Sequence, residues 1–312
     1  MTNMQPLTAV NLTGYLHPAY AASFEEFGHP RELPYCGGWI LERPIPGCDD
    51  RDAMGCYPLF ACQDWSRLQQ DLDEIGDELV CLGLVTDPFG SYDEADLRRC
   101  FGDVAYPFKD HYIIDYKIWK DRTYDIDTRR EIRNAFKNLK VEICTDPHLH
   151  LDEWIRLYNL LVERYKISSL RAFSRLSFTR QFDTPGLLMY RAYHQDQTVG
   201  IALAYLQGEG AFFHLTGIDE AGYKLGASYA LYSTAIEHLA GMARWLDLGG
   251  TPGVVEGQRD GLKYYKMHWA TGTLPAYFCG RIFNPQRYSA IAEARGLVGG
   301  KYFPSYRYGE FS

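Results

Sequence analysis

No stretch of this 312-residue sequence approaches the roughly 18 apolar residues needed to cross a bilayer, so no membrane-spanning helix is expected. Positive charge is not in excess either: 32 Lys and Arg against 40 Asp and Glu leave a net charge of −8. That balance excludes broad, non-specific binding to nucleic acid and leaves room only for a local basic groove. The amino-terminal stretch "MTNMQPLTAVNLTGY" has no basic region followed by an apolar core, so no signal peptide is expected and a cytoplasmic location is. None of the eight cysteines forms a C-x-x-C pair, and several sit in apolar runs such as "LVCLGLV". The pattern reads as reduced, buried thiols rather than a disulfide framework or a zinc site. His148 and His150 stand two apart with no third ligand beside them in sequence, so no metal is expected there.

What is present is an ordinary apolar content of 46% with 23% charged residues, the balance of a well-packed globular protein. The aromatic fraction of 15%, with 24 tyrosines, is high. It fits either core packing or aromatic-lined pockets for a large, partly polar ligand. The length predicts two domains. Positive charge concentrates in residues 117 to 140, where Lys117, Lys120, Arg122, Arg129, Arg130, Arg133, Lys137 and Lys140 face four acids.

Periodicity gives a coarse map. "GGWILE" reads as a strand, and Asp64 caps a helix carrying Trp65, Leu68, Leu72, Ile75 and Leu79 at 3,4 spacing. "ELVCLGLVTDP" and "DHYIIDY" read as strands, Asp127 as the cap of a basic helix, and "KVEIC" as a returning strand. "CTDPHLHLDEW" is the expected domain junction. An amphipathic helix follows with Leu151, Trp154, Ile155, Tyr158, Val162 and Tyr165 on one face, then a second helix over 170–182. The meander "LLMYRAY", "TVGIALAYL", "AFFHLTGI" has turn-like connections. One long helix with Gly222 and Gly226 at its start, the strand "WLDLGG", a helix over 260–268 and the strand "PAYFCGRIF" complete the order. That is an α+β arrangement of mixed sheets flanked by helices, not a doubly wound parallel sheet.

The carboxy-terminal order resembles the GNAT acyltransferase fold, in which a strand feeds a helix whose amino-terminal amides hold the phosphates of an acyl carrier. Here "GYKLGAS" takes that place, a degenerate form of the acetyl-CoA pattern with Tyr223, Lys224, Gly226 and Ala227 or Ser228. The sequence is more similar to the FemABX group of aminoacyl-tRNA-dependent transferases, which carry two tandem GNAT-like domains. Four segments carry the likeness: "GYKLGASYAL" after the aromatic strand "AFFHLTG", "LDLGGTPG", "GLKYYK" with Tyr265 before Lys266, and "DTRREIRNAFKNLKVEI". The long helical arm of several cell-wall members has no counterpart here. The resemblance implies two domains, a degenerate one over 1–146 and a second over 147–312, whose final residues may return to the first.

It also implies the chemistry. An amine attacks an acyl carbonyl, and cations or backbone N–H groups stabilise the oxygen that gains charge. The expected catalytic residues are Lys266, Asp247 and His214, with His268 a weaker candidate. Substrate contacts fall to Tyr265, Tyr223, Lys224 and Gly226, and phosphate contacts to Arg130, Arg133 and Lys137. Lys263 reads as the solvated lysine of its pair. The expected co-substrate is aminoacyl-tRNA, with acyl-CoA the alternative, no bound cofactor, and a small-molecule or peptidyl amine as acceptor. A catalytically silent double-GNAT module that binds a glycan or peptide is the non-enzymatic alternative.

Overall fold

The structure, a computed structural model, describes residues 11–119, 124–251, 261–297, 299–300 and 302–310. Lys120 and Arg122 of the basic run, and the first residue of the helix expected over 260–268, lie outside the described residues. In chain order come α1 (Pro18–Ala22), β1 (His29–Leu33), β2 (Gly38–Pro44), β3 (Arg51–Gly55), α2 (Leu68–Ile75), β4 (Cys81–Val85), α3 (Glu94–Cys100) and β5 (Val104–Asp115). Then follow α4 (Tyr116–Trp119), α5 (Ile126–Ala135), β6 (Lys140–Cys144), α6 (Leu151–Tyr165), α7 (Arg175–Phe182), β7 (Leu187–His194), β8 (Gln197–Gln207) and β9 (Gly210–Ile218). The chain closes with α8 (Glu220–Leu225), α9 (Ala227–Leu239), β10 (Trp245–Asp247), α10 (Gly261–Trp269), β11 (Gly272–Ile282) and α11 (Pro285–Ala294).

Two compact units form, but not by a cut at residue 146. One gathers residues 1–108, 168–173 and 275–312, the other 109–167 and 174–274. The reason lies in strand pairing: β6 is antiparallel to β7 of the meander, so residues before the expected junction belong with those after it. The first unit orders its strands β1-β2-β3-β4-β11, antiparallel except for the parallel β3–β4 pair. Its core is built from residues such as Ile40, Leu68, Leu72, Leu82, Leu97 and Cys279.

The second unit orders its strands β5-β10-β9-β8-β7-β6. Here β10 is antiparallel to β5 and parallel to β9, and the remaining neighbours are antiparallel. The β7–β8 turn places both Gln195 (φ 48°) and Asp196 (φ 64°) in the left-handed region, the backbone of a type I′ hairpin. Helices cover both faces of this sheet. A Cβ at Gly200 would stand 3.2 Å from Leu231 of α9, and one at Gly217 would stand 3.0 Å from Leu157 of α6. Gly217 pairs with Ile201, the residue after Gly200, and neighbouring strand positions point to opposite faces. None of the eight cysteines is in a disulfide, as the spacing implied.

Two local expectations are corrected. The cap of the basic helix is Asp125, whose Oδ1 accepts from Thr128 N at 2.7 Å, rather than Asp127. The long helix expected after the meander is two, because Gly226 takes φ +77° and ends α8 where α9 begins. An L-residue there meets the left-handed penalty, and its Cβ would come 3.3 Å from that of Ala135 on α5. Gly226→Ala is therefore expected to lose about 1–2 kcal/mol of unfolding free energy in a urea titration; unchanged stability would show that α8 and α9 can join without the hinge.

Candidate active site

The strand β10 is three residues long and ends on Asp247, which is 2% exposed. A buried carboxylate must be satisfied by donors or lose its charge. Asp247 has two donors: its Oδ1 accepts from Gly249 N at 2.6 Å, and its Oδ2 stands 2.7 Å from His111 Nδ1. His111 comes from β5 and is 7% exposed. With the proton on Nδ1 directed at the carboxylate, the lone pair of His111 sits on Nε2. That places a hydrogen-bond acceptor, oriented by a buried anion, at the end of the strand.

Register makes this meeting possible. Asp247 pairs with Ile113, and His111, two residues back, shares that face of β5. The register is held beyond β10 as well: Leu248 N donates to Tyr112 O at 2.8 Å, and Tyr112 N to Gly249 O at 3.3 Å. At the other end of the strand, Arg244 and Asp115 form a two-pronged ion pair. Thr271 Oγ1 accepts from Asp115 N at 2.8 Å and donates to Ile113 O at 3.0 Å.

Lys266, on α10, points inward: it is 6% exposed and its Nζ donates to Gly250 O at 2.7 Å. Lys263, one turn away, is exposed, as its reading required. The two glycines between these groups are closely approached by them. Gly249 takes φ +79°, and a Cβ there would stand 3.2 Å from Lys266 Nζ; a Cβ at Gly250 would stand 3.2 Å from the His111 ring. The buried side chains of His111, Asp247 and Lys266 thus form one polar cluster around the half-buried Gly249 and Gly250. Residues 252–260, which continue from the diglycine, lie outside the described residues.

The other expected site residues are not brought to this cluster. His214 Nε2 stands 3.2 Å from Gln181 Oε1 on α7, and its ring packs edge-on to Tyr205. Burial pushes its pKa down to about 3, so it is neutral and packed. Tyr265 points into the aromatic core with Tyr229, Tyr232 and Trp269, where burial lifts its phenol well above the ordinary range. Tyr223 is exposed beneath the Arg164 guanidinium, 4.5 Å from the ring centre. Lys224 pairs with Glu220 at 2.6 Å on the same exposed helix face, and Gly226 serves the hinge between α8 and α9.

On the basic helix, Arg130 is neutralised by Asp127 at 3.1 Å and Glu131 at 3.4 Å. It lines a cleft of about 380 Å³ that also exposes Asp125, whose Oδ2 meets His268 Nδ1 at 2.9 Å. Acidic lining makes that face a poor phosphate site. Lys137 reaches Asn134 at 2.9 Å, while Arg133 is exposed with no ion-pair partner among the described residues. Sequence reasoning missed His111: the strand "DHYIIDY" was legible, but only the register against β10 turns one of its residues toward Asp247.

Residues 124–267 match the acetyltransferase (GNAT) domain family, a segment holding Asp247 and Lys266 but not His111. None of the curated proteins matches the chain in sequence. Among solved structures, the chain resembles FemX at 11% identity and TM-score 0.67, over 92% of this chain and 100% of that one. It also resembles the C-terminal domain of a putative lysylphosphatidylglycerol synthetase from Agrobacterium fabrum, at 14% identity and TM-score 0.59 over 91% and 93% of the two chains. L-PGS from Bacillus licheniformis follows at 12% identity and TM-score 0.56, over 92% and 98%. The fold is therefore FemX-like, an α+β acyltransferase fold of the GNAT type.

The partly buried His214, whose pKa burial pushes down, has a consequence for acid stability. The unfolded chain takes up a proton near the ordinary value of 6.5, whereas the folded chain resists until about 3. Stability from this group is full above that window and falls as pH drops through it. His214→Gln should lose less melting temperature than the wild type between pH 7 and pH 5; equal losses would show that this histidine does not sense the acid.

Proposed function

We propose that this chain is an aminoacyltransferase that forms an amide by moving an aminoacyl group from aminoacyl-tRNA to the amine of a small-molecule or peptidyl acceptor. The observation that carries the reading is the buried His111–Asp247 pair set against the diglycine at the end of β10. His111 Nε2 is placed to take the proton that the attacking amine must lose, and Asp247 holds the ring in the tautomer that leaves Nε2 basic. The amine nitrogen bonds to the acyl carbon, and the ester C–O bond to the ribose breaks. The leaving oxygen takes its proton back from His111. Lys266, fixed on Gly250 O, holds the diglycine turn and places a cation beside the carbonyl oxygen that gains charge.

One of the similar structures is described as the C-terminal domain of a putative lysylphosphatidylglycerol synthetase, a name that joins an aminoacyl group to an acceptor. Together with the FemX likeness this supports an aminoacyl donor. One observation favours a second donor: the matching family is described as an acetyltransferase domain, which supports an acyl-CoA and cleavage of a C–S bond instead.

The deciding experiment supplies purified protein and a panel of amines with either charged tRNA or acyl-CoA. Amide product that disappears when RNase is added first supports the aminoacyl-tRNA reading; product from acyl-CoA alone sinks it. With the productive donor, Lys266→Ala is expected to lower the rate by on the order of 10²–10³, and His111→Gln by on the order of 10²–10⁴. Lys263→Ala should stay near the wild type. Full activity in Lys266→Ala and His111→Gln would remove the assigned roles.

A further inference from the structure

Away from this cluster, three metal-ligating side chains converge from two elements. Glu142 and Cys144 stand two apart on β6 and so share one face, and His150 ends the turn that leads into α6. Their ligand atoms all lie within 4.8 Å of one another. Glu142 Oε1 is 3.7 Å from His150 Nε2 and 4.0 Å from Cys144 Sγ. Oxygen, nitrogen and sulfur ligands bound at 2.0–2.3 Å to a tetrahedral ion stand about 3.3–3.8 Å apart, so both distances from Glu142 are close to those of a bound ion, and the third is within about 1 Å of closing on one.

A second observation points the same way. His150 Nδ1 stands 2.6 Å from Glu153 Oε2, in the first turn of α6. A carboxylate on the outer ring nitrogen fixes the tautomer and turns the other nitrogen's lone pair toward the ion, as is general for metal-bound histidines. Arg191, across from Glu142 on β7, donates to Glu142 Oε1 at 2.9 Å and stands 3.3 Å from Glu153. It orients both carboxylates, and an oxygen with two lone pairs can accept an arginine and still bind an ion.

We propose that Glu142, Cys144 and His150 form a zinc site with a fourth position open to water, pinning β6 to the start of α6. Binding forms a Zn–S bond and releases the thiol proton to solvent. A sulfur, an imidazole and a carboxylate suit zinc, whereas calcium and magnesium take oxygen ligands. The sequence hides the site because its histidine and its other two ligands lie on either side of the turn over 145–149. The competing arrangement is an imidazolium held between Glu142 and Glu153 with no affinity for a metal.

The test uses the full chain, stripped of metal and titrated with Co²⁺. We expect a thiolate-to-cobalt charge-transfer band that saturates at one equivalent, is displaced by Zn²⁺ and is absent from Cys144→Ser. Glu153→Gln should weaken the affinity by about 10-fold or more. In the wild type, with no substitution needed, Zn²⁺ should slow alkylation of Cys144 by iodoacetamide, read on its peptide by mass spectrometry. A missing band, a band that persists in Cys144→Ser, or alkylation of Cys144 unaffected by zinc would each overturn the site.

Discussion

A carboxylate buried to 2% exposure at the end of a three-residue strand is the constraint around which the second unit's site is arranged. Left alone, Asp247 would be several kcal/mol too costly to keep charged out of water. Its two oxygens are answered separately, one by a backbone N–H two residues on and one by a histidine from the neighbouring strand. Both answers depend on register. A slip of one residue between β5 and β10 would turn His111 to the opposite face and leave the carboxylate without its ring partner. The Arg244–Asp115 ion pair and the Thr271 bridge to β5 oppose that slip at the other end of the pairing.

The diglycine follows from the same constraint. Its backbone begins two residues after a carboxylate whose oxygens are both engaged, and it passes beside a lysine ammonium and a histidine ring. At Gly249 the left-handed φ of +79° disfavours a side chain, and a Cβ there would stand 3.2 Å from the Lys266 ammonium; at Gly250 a Cβ would stand 3.2 Å from the His111 ring. Lys266 then closes the turn through the Gly250 carbonyl. A lysine buried to 6% exposure beside a strand end would be hard to explain as surface chemistry. As part of a polar cluster in which every described member has a partner, it is consistent with a preorganised site.

The sequence made the architecture legible wherever one element carried its own signal. The meander strands, the apolar stripe of α6 and the buried strand β4 all show their period directly, and their bounds fall close to those expected. Of the pair Lys263 and Lys266, the motif context selected the one that points inward. Failures cluster where the deciding fact is non-local. Pairing of β6 with β7 places residues 109–146 in the second unit, and no composition shift at residue 146 could reveal that. Tyr265 and His214 sit in aromatic-rich segments that would suit a pocket or a core equally, and packing against Trp269 and Tyr205 decides for the core. His111 and the Glu142–Cys144–His150 group each join residues whose meeting depends on the fold rather than on spacing.

The proposed chemistry depends on Asp247 holding His111 with its proton on Nδ1, leaving the lone pair on Nε2. Histidine tautomers are read directly by NMR of the ¹⁵N-labelled chain, with His111 assigned by its loss in His111→Gln. His111 is expected to carry its proton on Nδ1 and its lone pair on Nε2, with that signature changed when Asp247 becomes Asn. A neutral His111 protonated at Nε2, or one indifferent to Asp247→Asn, would contradict it.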